Sequence, residues 1–216
     1  RVSKANTGAL ITNAMRSIPG LVSNVNPLLL VQHVSEITYN DSSCYETIQW
    51  NFDGYYTGPL MDLQTVINLN TTDPASYTSS GSAGMQMGVA HLLQVYYFQK
   101  MTDRWGAIPY SESLKGVDNL KPKFDDQKAV YQGLIVLLDD AIKDLKANTF
   151  ASTYSGSDIV FKGSNSSWIK FANSMKLRIL MRQSRVSGTD AYITAEINKI
   201  VTEGSGFITG AEVGAN

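Results

Sequence analysis

The residues that could do chemistry are few, and their spacing serves it badly. Two histidines, His33 and His91, lie in stretches of helical periodicity. His91 borders an apolar stripe, where a packed or hydrogen-bonded imidazole is the expected state. A two-histidine metal site would also need a carboxylate, and the spacing supplies none. Adjacent carboxylates occur at Asp125/Asp126 and Asp139/Asp140. Glycoside hydrolysis uses two carboxylates across one bond, but neighbours on a helix point about 100° apart. These pairs therefore read as an N-cap and a solvated face. Cys44, the single cysteine, stands among Ser42, Ser43 and Tyr45 with no disulfide partner and no ligand spacing. Nucleophile-elbow, zinc-protease, phosphate-loop and dinucleotide-binding patterns are missing. Those chemistries are therefore unsupported by the residues, and no metal or cofactor is expected.

Ring side chains say more. Eleven Tyr stand beside seven Phe and three Trp, and Tyr39, Trp50, Tyr55, Tyr77 and Tyr154 fall in or next to loops. A ring exposed at a loop can stack on the apolar face of a sugar while polar neighbours bind its hydroxyls. The alternative is that each ring packs down onto the helices beneath it, as Tyr55, bordering a helical face, is placed to do.

What must position these rings is a set of helices. Apolar residues recur at three- and four-residue intervals and strict alternation is almost absent, so the spacing predicts an all-α protein. Short helices are expected over 5–17 and 26–37, separated by "IPGLVSNVN" with Pro19 and Gly20. From 52 onward Phe52, Tyr56, Leu60, Leu63 and Ile67 share a face, with a kink or restart at Pro59. The small polar stretch 68–84 reads as an exposed loop.

Residues 84–104 carry two adjoining stripes, one with Met85, Val89, Leu92 and Tyr96, the other with Leu93, Tyr97 and Met101. So wide an arc predicts burial on two sides. The next helix starts at an N-cap on Asp125 or Asp126 and aligns Val130, Leu134, Leu137, Leu138, Ala141 and Leu145. Past a Ser/Gly-rich loop at 151–167, Trp168, Ala172, Met175 and Ile179 mark another face, with Lys170, Lys176, Arg178 and Arg182 as its basic complement. A last helix over roughly 189–203 ends at Gly204. The whole predicts one domain, 1–216, of stacked antiparallel helix pairs with long loops, a tetratricopeptide-like scaffold without a visible repeat of about 34 residues.

Composition narrows the partners. Eighteen basic against nineteen acidic residues leave a net charge of -1, so no pull toward nucleic acid is encoded. No apolar run is long enough to span a bilayer. "RVSKANTGAL" lacks the apolar core of a signal peptide, and any targeting signal is expected upstream of Arg1.

Three ordered blocks carry a resemblance: "DRWGAIPYSESLKG", "KPKFDDQKAVYQGLIVLLDDAIKDL" and "SSWIKFANSMKLRILMRQS". Together with "WNFDGYYTGPLMDLQTVI" they resemble the N-terminal part of the SusD/RagB family of outer-membrane nutrient-binding lipoproteins. The resemblance implies a non-enzymatic protein on the extracellular face of the outer membrane, lipid-anchored upstream of Arg1. It would bind an oligosaccharide, or in some relatives a peptide, and hand it to a SusC-like TonB-dependent transporter. An alternative role is that of a scaffold docked on the transporter. The ligand site of the family is built from variable loops, so Trp50, Tyr77 and Tyr39 are the candidate ligand contacts. Trp105, Gly106, Pro109, Tyr110 and Glu112 read as structural, with Gly106 as a left-handed cap and Trp105 anchoring the turn.

Overall fold

The computed structural model describes residues 5–47, 50–148 and 156–210. Helix α1 (Thr7–Val22) begins at Asn6, whose side chain accepts the Ala9 N–H. The short α2 (Asn26–Leu30) and a 3-10 turn (Asn40–Cys44) lead to α3 (Asp53–Tyr55). A π turn (Tyr56–Leu60) joins α3 to α4 (Met61–Thr72), and Gly58 leaves helical geometry just before Pro59. That is the expected kink. A 3-10 turn (Pro74–Ser80) then precedes α5 (Ala83–Trp105). Two-residue strands β1 (Ile108–Pro109) and β2 (Phe124–Asp125) pair antiparallel. Helices α6 (Gln127–Ala147), α7 (Asn165–Arg182) and α8 (Asp190–Glu203) complete the chain as described.

Successive long helices run antiparallel, and cross-helix bonds fix their register. Asn70 meets Gln86 and Gln64 meets Gln94 between α4 and α5. Between α5 and α6, Gln127 donates to the Thr102 carbonyl at one end, while Gly88 lies against Leu145 and Ala141 at the other. A Cβ on Gly88 would sit 2.9 Å from Leu145 Cγ, so the close approach requires glycine. Lys176 reaches Asp139 from α7 to α6 and Glu196 from α7 to α8. Helix α5 is the centre, with α4 and α6 on its two sides. Met85, Val89, Leu92, Tyr97 and Met101 are fully buried there. Each such side chain contributes about 1.5–3 kcal/mol of burial.

Four expectations need correction. Helix α1 does not break at Pro19 but runs through it to Val22. Proline is costly in a helix interior, yet here only the last turn follows, and the Pro19 carbonyl accepts the closing Ser23 N–H at 2.8 Å. The 26–37 segment is helical only to Leu30; Gln32 turns left-handed (φ 56°), and Val31, Val34 and Ile37 are exposed. Without a buried face a short helix does not persist, and His33 stands in an exposed turn.

The supposed loop 68–84 is largely ordered turn and helix. Its organiser is the buried carboxamide of Gln86, which donates to the carbonyls of Tyr77 and Gly81 and accepts from Asn70. Lys176 does not belong to a solvated basic face: it is buried between Asp139 and Glu196. Asp158 was silent in the sequence. Its buried carboxylate accepts the N–H groups of Val160, Phe161 and Gly163 and the Trp168 indole, which seats the start of α7.

Candidate functional site

The segment between α5 and α6 is built as a rigid connector. Gly106 (φ 74°) ends α5, its N–H bonding to the Thr102 carbonyl. A positive φ of this kind suits glycine. Trp105 packs edge-on to Phe52 at 5.4 Å, and Phe52 in turn meets Tyr56 and Phe124. The Tyr56 hydroxyl donates to the Pro109 carbonyl at 2.5 Å, and burial, reinforced by Asp125, raises the phenol above its ordinary range. Asp125, one of the two N-cap candidates, instead accepts the N–H groups of Tyr110 and Ser111 and the Ser111 hydroxyl. Asp126 is the cap of α6. Glu112 accepts from Asn119 and from the Lys123 N–H. These bonds make Trp105, Gly106, Pro109, Tyr110 and Glu112 parts of the scaffold.

Against this connector lies a cleft of 380 Å³. Phe52, Tyr56, Met61, Leu114 and Leu120 give it apolar walls, and Asp53, Asn119 and Lys115 bring polar groups. Rings beside a few hydrogen-bonding groups suit a small polar ligand with an apolar face. The loop on its far side holds Leu114 in the left-handed region (φ 61°). Sequence reasoning missed this cleft, because Phe52 and Tyr56 read as one helical face and Leu114–Leu120 as plain connector. A larger cavity of 570 Å³ lies among α6, α7 and α8. It has no aromatic wall, and Lys146, Lys176 and Lys199 there are each paired with a carboxylate.

The three candidate contacts are not brought into ring contact among the described residues. Tyr39, at the entry to the Asn40–Cys44 turn, is 78% exposed and free to stack. Trp50 is half-buried, with the Arg104 guanidinium 4.9 Å above its ring. Tyr77 is half-buried in the Pro74–Ser80 turn. Tyr45, 61% exposed on the same turn as Tyr39, was missed. Tyr55 packs on Tyr97 and Trp105 as its helical position suggests. Tyr154 lies outside the described residues.

His91 is held below its usual value by burial, which outweighs the opposing pull of Asp144 and Asp140. Both of those carboxylates belong to α6. Among the described residues no group of acidic, histidine or cysteine side chains could hold a metal ion, and no helix is long and apolar enough to cross a membrane.

Stacked antiparallel helices around a central α5, with a ring-braced connector on one side, define a tetratricopeptide-like helical scaffold. The chain belongs to the SusD-like family, whose model, described as "Starch-binding associating with outer membrane", matches residues 1–215. Among curated proteins none matches. Similar solved structures include a SusD homolog from Bacteroides fragilis (22% identity, TM-score 0.75, covering 96% of this chain and 43% of that one). A SusD/RagB family protein from Bacteroides thetaiotaomicron shows 19% identity and a TM-score of 0.76 over 97% of this chain and 44% of that one. A chitin-binding SusD homolog from Flavobacterium johnsoniae shows 21% identity and a TM-score of 0.71 over 94% and 44%. The chain thus spans less than half the length of these structures.

Proposed function

We propose that the protein binds an extracellular nutrient, an oligosaccharide, without hydrolysing it, and passes it to a SusC-like TonB-dependent transporter at the outer membrane, where a lipid anchor upstream of Arg1 would hold it. The observation that carries this reading is the family match across residues 1–215. The chitin-binding homolog from Flavobacterium johnsoniae, similar in fold, supports a glycan as the ligand class.

In this reading Tyr39, Trp50 and Tyr77 contact ligand, with the exposed Tyr39 ring stacking on a sugar face and the cleft beside Phe52 and Tyr56 seating a residue of the chain. A second reading, a scaffold docked on the transporter, is favoured by Ile37 and Val117, exposed at 91% and 87%. Such aliphatic side chains have little use for a hydroxyl-rich ligand but suit a protein partner.

Co-purification of the complete protein with its transporter, alongside titration with oligosaccharides and peptides, tests both readings. Ligand binding together with transporter association is expected. Absence of both binding and association would defeat the proposal, and release of reducing sugar would make the protein an enzyme.

A further inference from the structure

The net charge of -1 hides a local excess of cations where the ends of α5 and α7 meet. Lys100 and Arg104 stand one turn apart on α5, Arg178 and Arg182 one turn apart on α7, and the two helices pack together. Residues spaced by four share a helix face, so two short cationic ladders lie side by side. The Arg104 guanidinium lies over two rings, 4.9 Å from the centre of Trp50 and 5.2 Å from that of Trp105, and donates to the Leu21 carbonyl. Lys100 sits 5.8 Å from the centre of the Tyr96 ring.

The carboxylate at this junction is Asp103. It takes the Arg182 guanidinium at 2.7 Å and the Tyr131 hydroxyl at 2.6 Å, along with the Gln99 carboxamide. Lys100 feels the imbalance: burial lowers its pKa, Arg178, Arg182 and Arg104 lower it further, and Asp103 opposes them. The α6–α8 cavity shows the contrast, since Lys146, Lys176 and Lys199 there all have a carboxylate within 2.9 Å. Cations left in excess beside aromatic rings favour an anion carried on a ring-shaped ligand: guanidinium forks match carboxylate and sulfate oxygens, and the rings offer stacking faces. Trp105 also touches Phe52 of the cleft, so one oligosaccharide could engage both.

We infer that the Lys100–Arg104–Arg178–Arg182 cluster is an anion subsite that selects carboxylated or sulfated oligosaccharides over neutral ones. This rests on the oligosaccharide-binding reading above. The test is calorimetric titration of the complete protein with oligogalacturonates and chondroitin sulfate oligosaccharides, against malto- and chito-oligosaccharides of equal length.

Acidic ligands are expected to bind at least roughly tenfold tighter, with affinity falling as salt rises. The double variant Lys100→Gln/Arg178→Gln loses that advantage, keeps its circular dichroism, and holds any neutral-sugar affinity within about twofold. Lys143→Gln, in the α6–α8 cavity, changes nothing. Neutral sugars binding as tightly as acidic ones, or a double variant that binds acidic sugars normally, would overturn the subsite and leave the oligosaccharide reading intact. Binding of no glycan would remove both. Binding to phosphatidylglycerol vesicles instead of acidic glycans, abolished by the double variant, would assign the cluster to a membrane surface and overturn it as well.

Discussion

Lys176 on α7 and Glu196 on α8 are joined at 2.9 Å, and the lysine side chain is only 2% exposed. A buried charge is tolerable only while its partners stay in place, and Asp139 on α6 is the second partner, at 2.5 Å. One ammonium therefore ties three helices. Its neighbour Asn173 works alongside it, donating to Glu203 and to the Gly206 carbonyl at the end of α8. The "FANSMK" block thus marks a fastening between helices rather than a ligand site.

Lys176→Ala is expected to lower the unfolding free energy of the complete protein by about 2–5 kcal/mol, because it opens a gap between three helices and leaves Glu196 with Lys199 alone. Lys176→Met combined with Glu196→Gln, which removes both charges and keeps volume, should recover most of that loss. Urea unfolding midpoints of the two variants check the order.

Tyr110, in the connector, packs its ring on Gly133 of α6, where an added Cβ would sit 2.5 Å from the ring carbon Cε1. Gly133→Ala should destabilise by about 1–3 kcal/mol through overpacking, whereas most alanine-for-glycine changes inside a helix stabilise. Thermal unfolding decides the sign, and a smaller penalty in a Tyr110→Leu background would locate the clash at this pair.

Glu203 supplies a pH dependence. Burial pushes its carboxyl up, but Lys146, Ser205 and Asn173 outweigh it and hold the group down to about 2, below its ordinary 4.5. A carboxylate with a depressed folded-state pKa stabilises the fold above its unfolded value, and that contribution fades as pH falls from about 4.5 toward 2. Glu203→Gln should therefore be less stable than the parent at pH 7, with the gap narrowing between pH 5 and pH 3. Urea titrations at those three pH values measure it. A gap that stays constant would mean that the carboxylate charge contributes nothing.

Much of the architecture was legible because the long helices announce themselves. The double stripe on α5, the Asp126 cap on α6 and Gly204 after α8 all stand where periodicity and capping put them. What was illegible depended on partners distant in sequence. Asn70 reads as part of a polar loop and Gln86 as an ordinary helix position until their cross-helix bond is seen, and Lys176 looks solvated until Asp139 and Glu196 close on it. Pro19 misled because its cost depends on how many turns follow it. The cleft was hidden for a similar reason: its walls join residues 52–61 to 109–122, and no local pattern relates the two. Of the rings, Tyr39 emerged exposed, whereas one face of Trp50 is covered by Arg104, a contact that sequence spacing does not disclose.

The central claim, that this protein holds an oligosaccharide at surface rings without cleaving it, is tested most directly by calorimetric titration of the complete protein with a panel of neutral and acidic oligosaccharides, repeated with Tyr39→Ala. At least one sugar should bind and be recovered uncut, and the variant should lose roughly 1–3 kcal/mol of binding, the scale of a lost aromatic contact. Absence of heat with every sugar, or full affinity retained without the Tyr39 ring, would contradict the account.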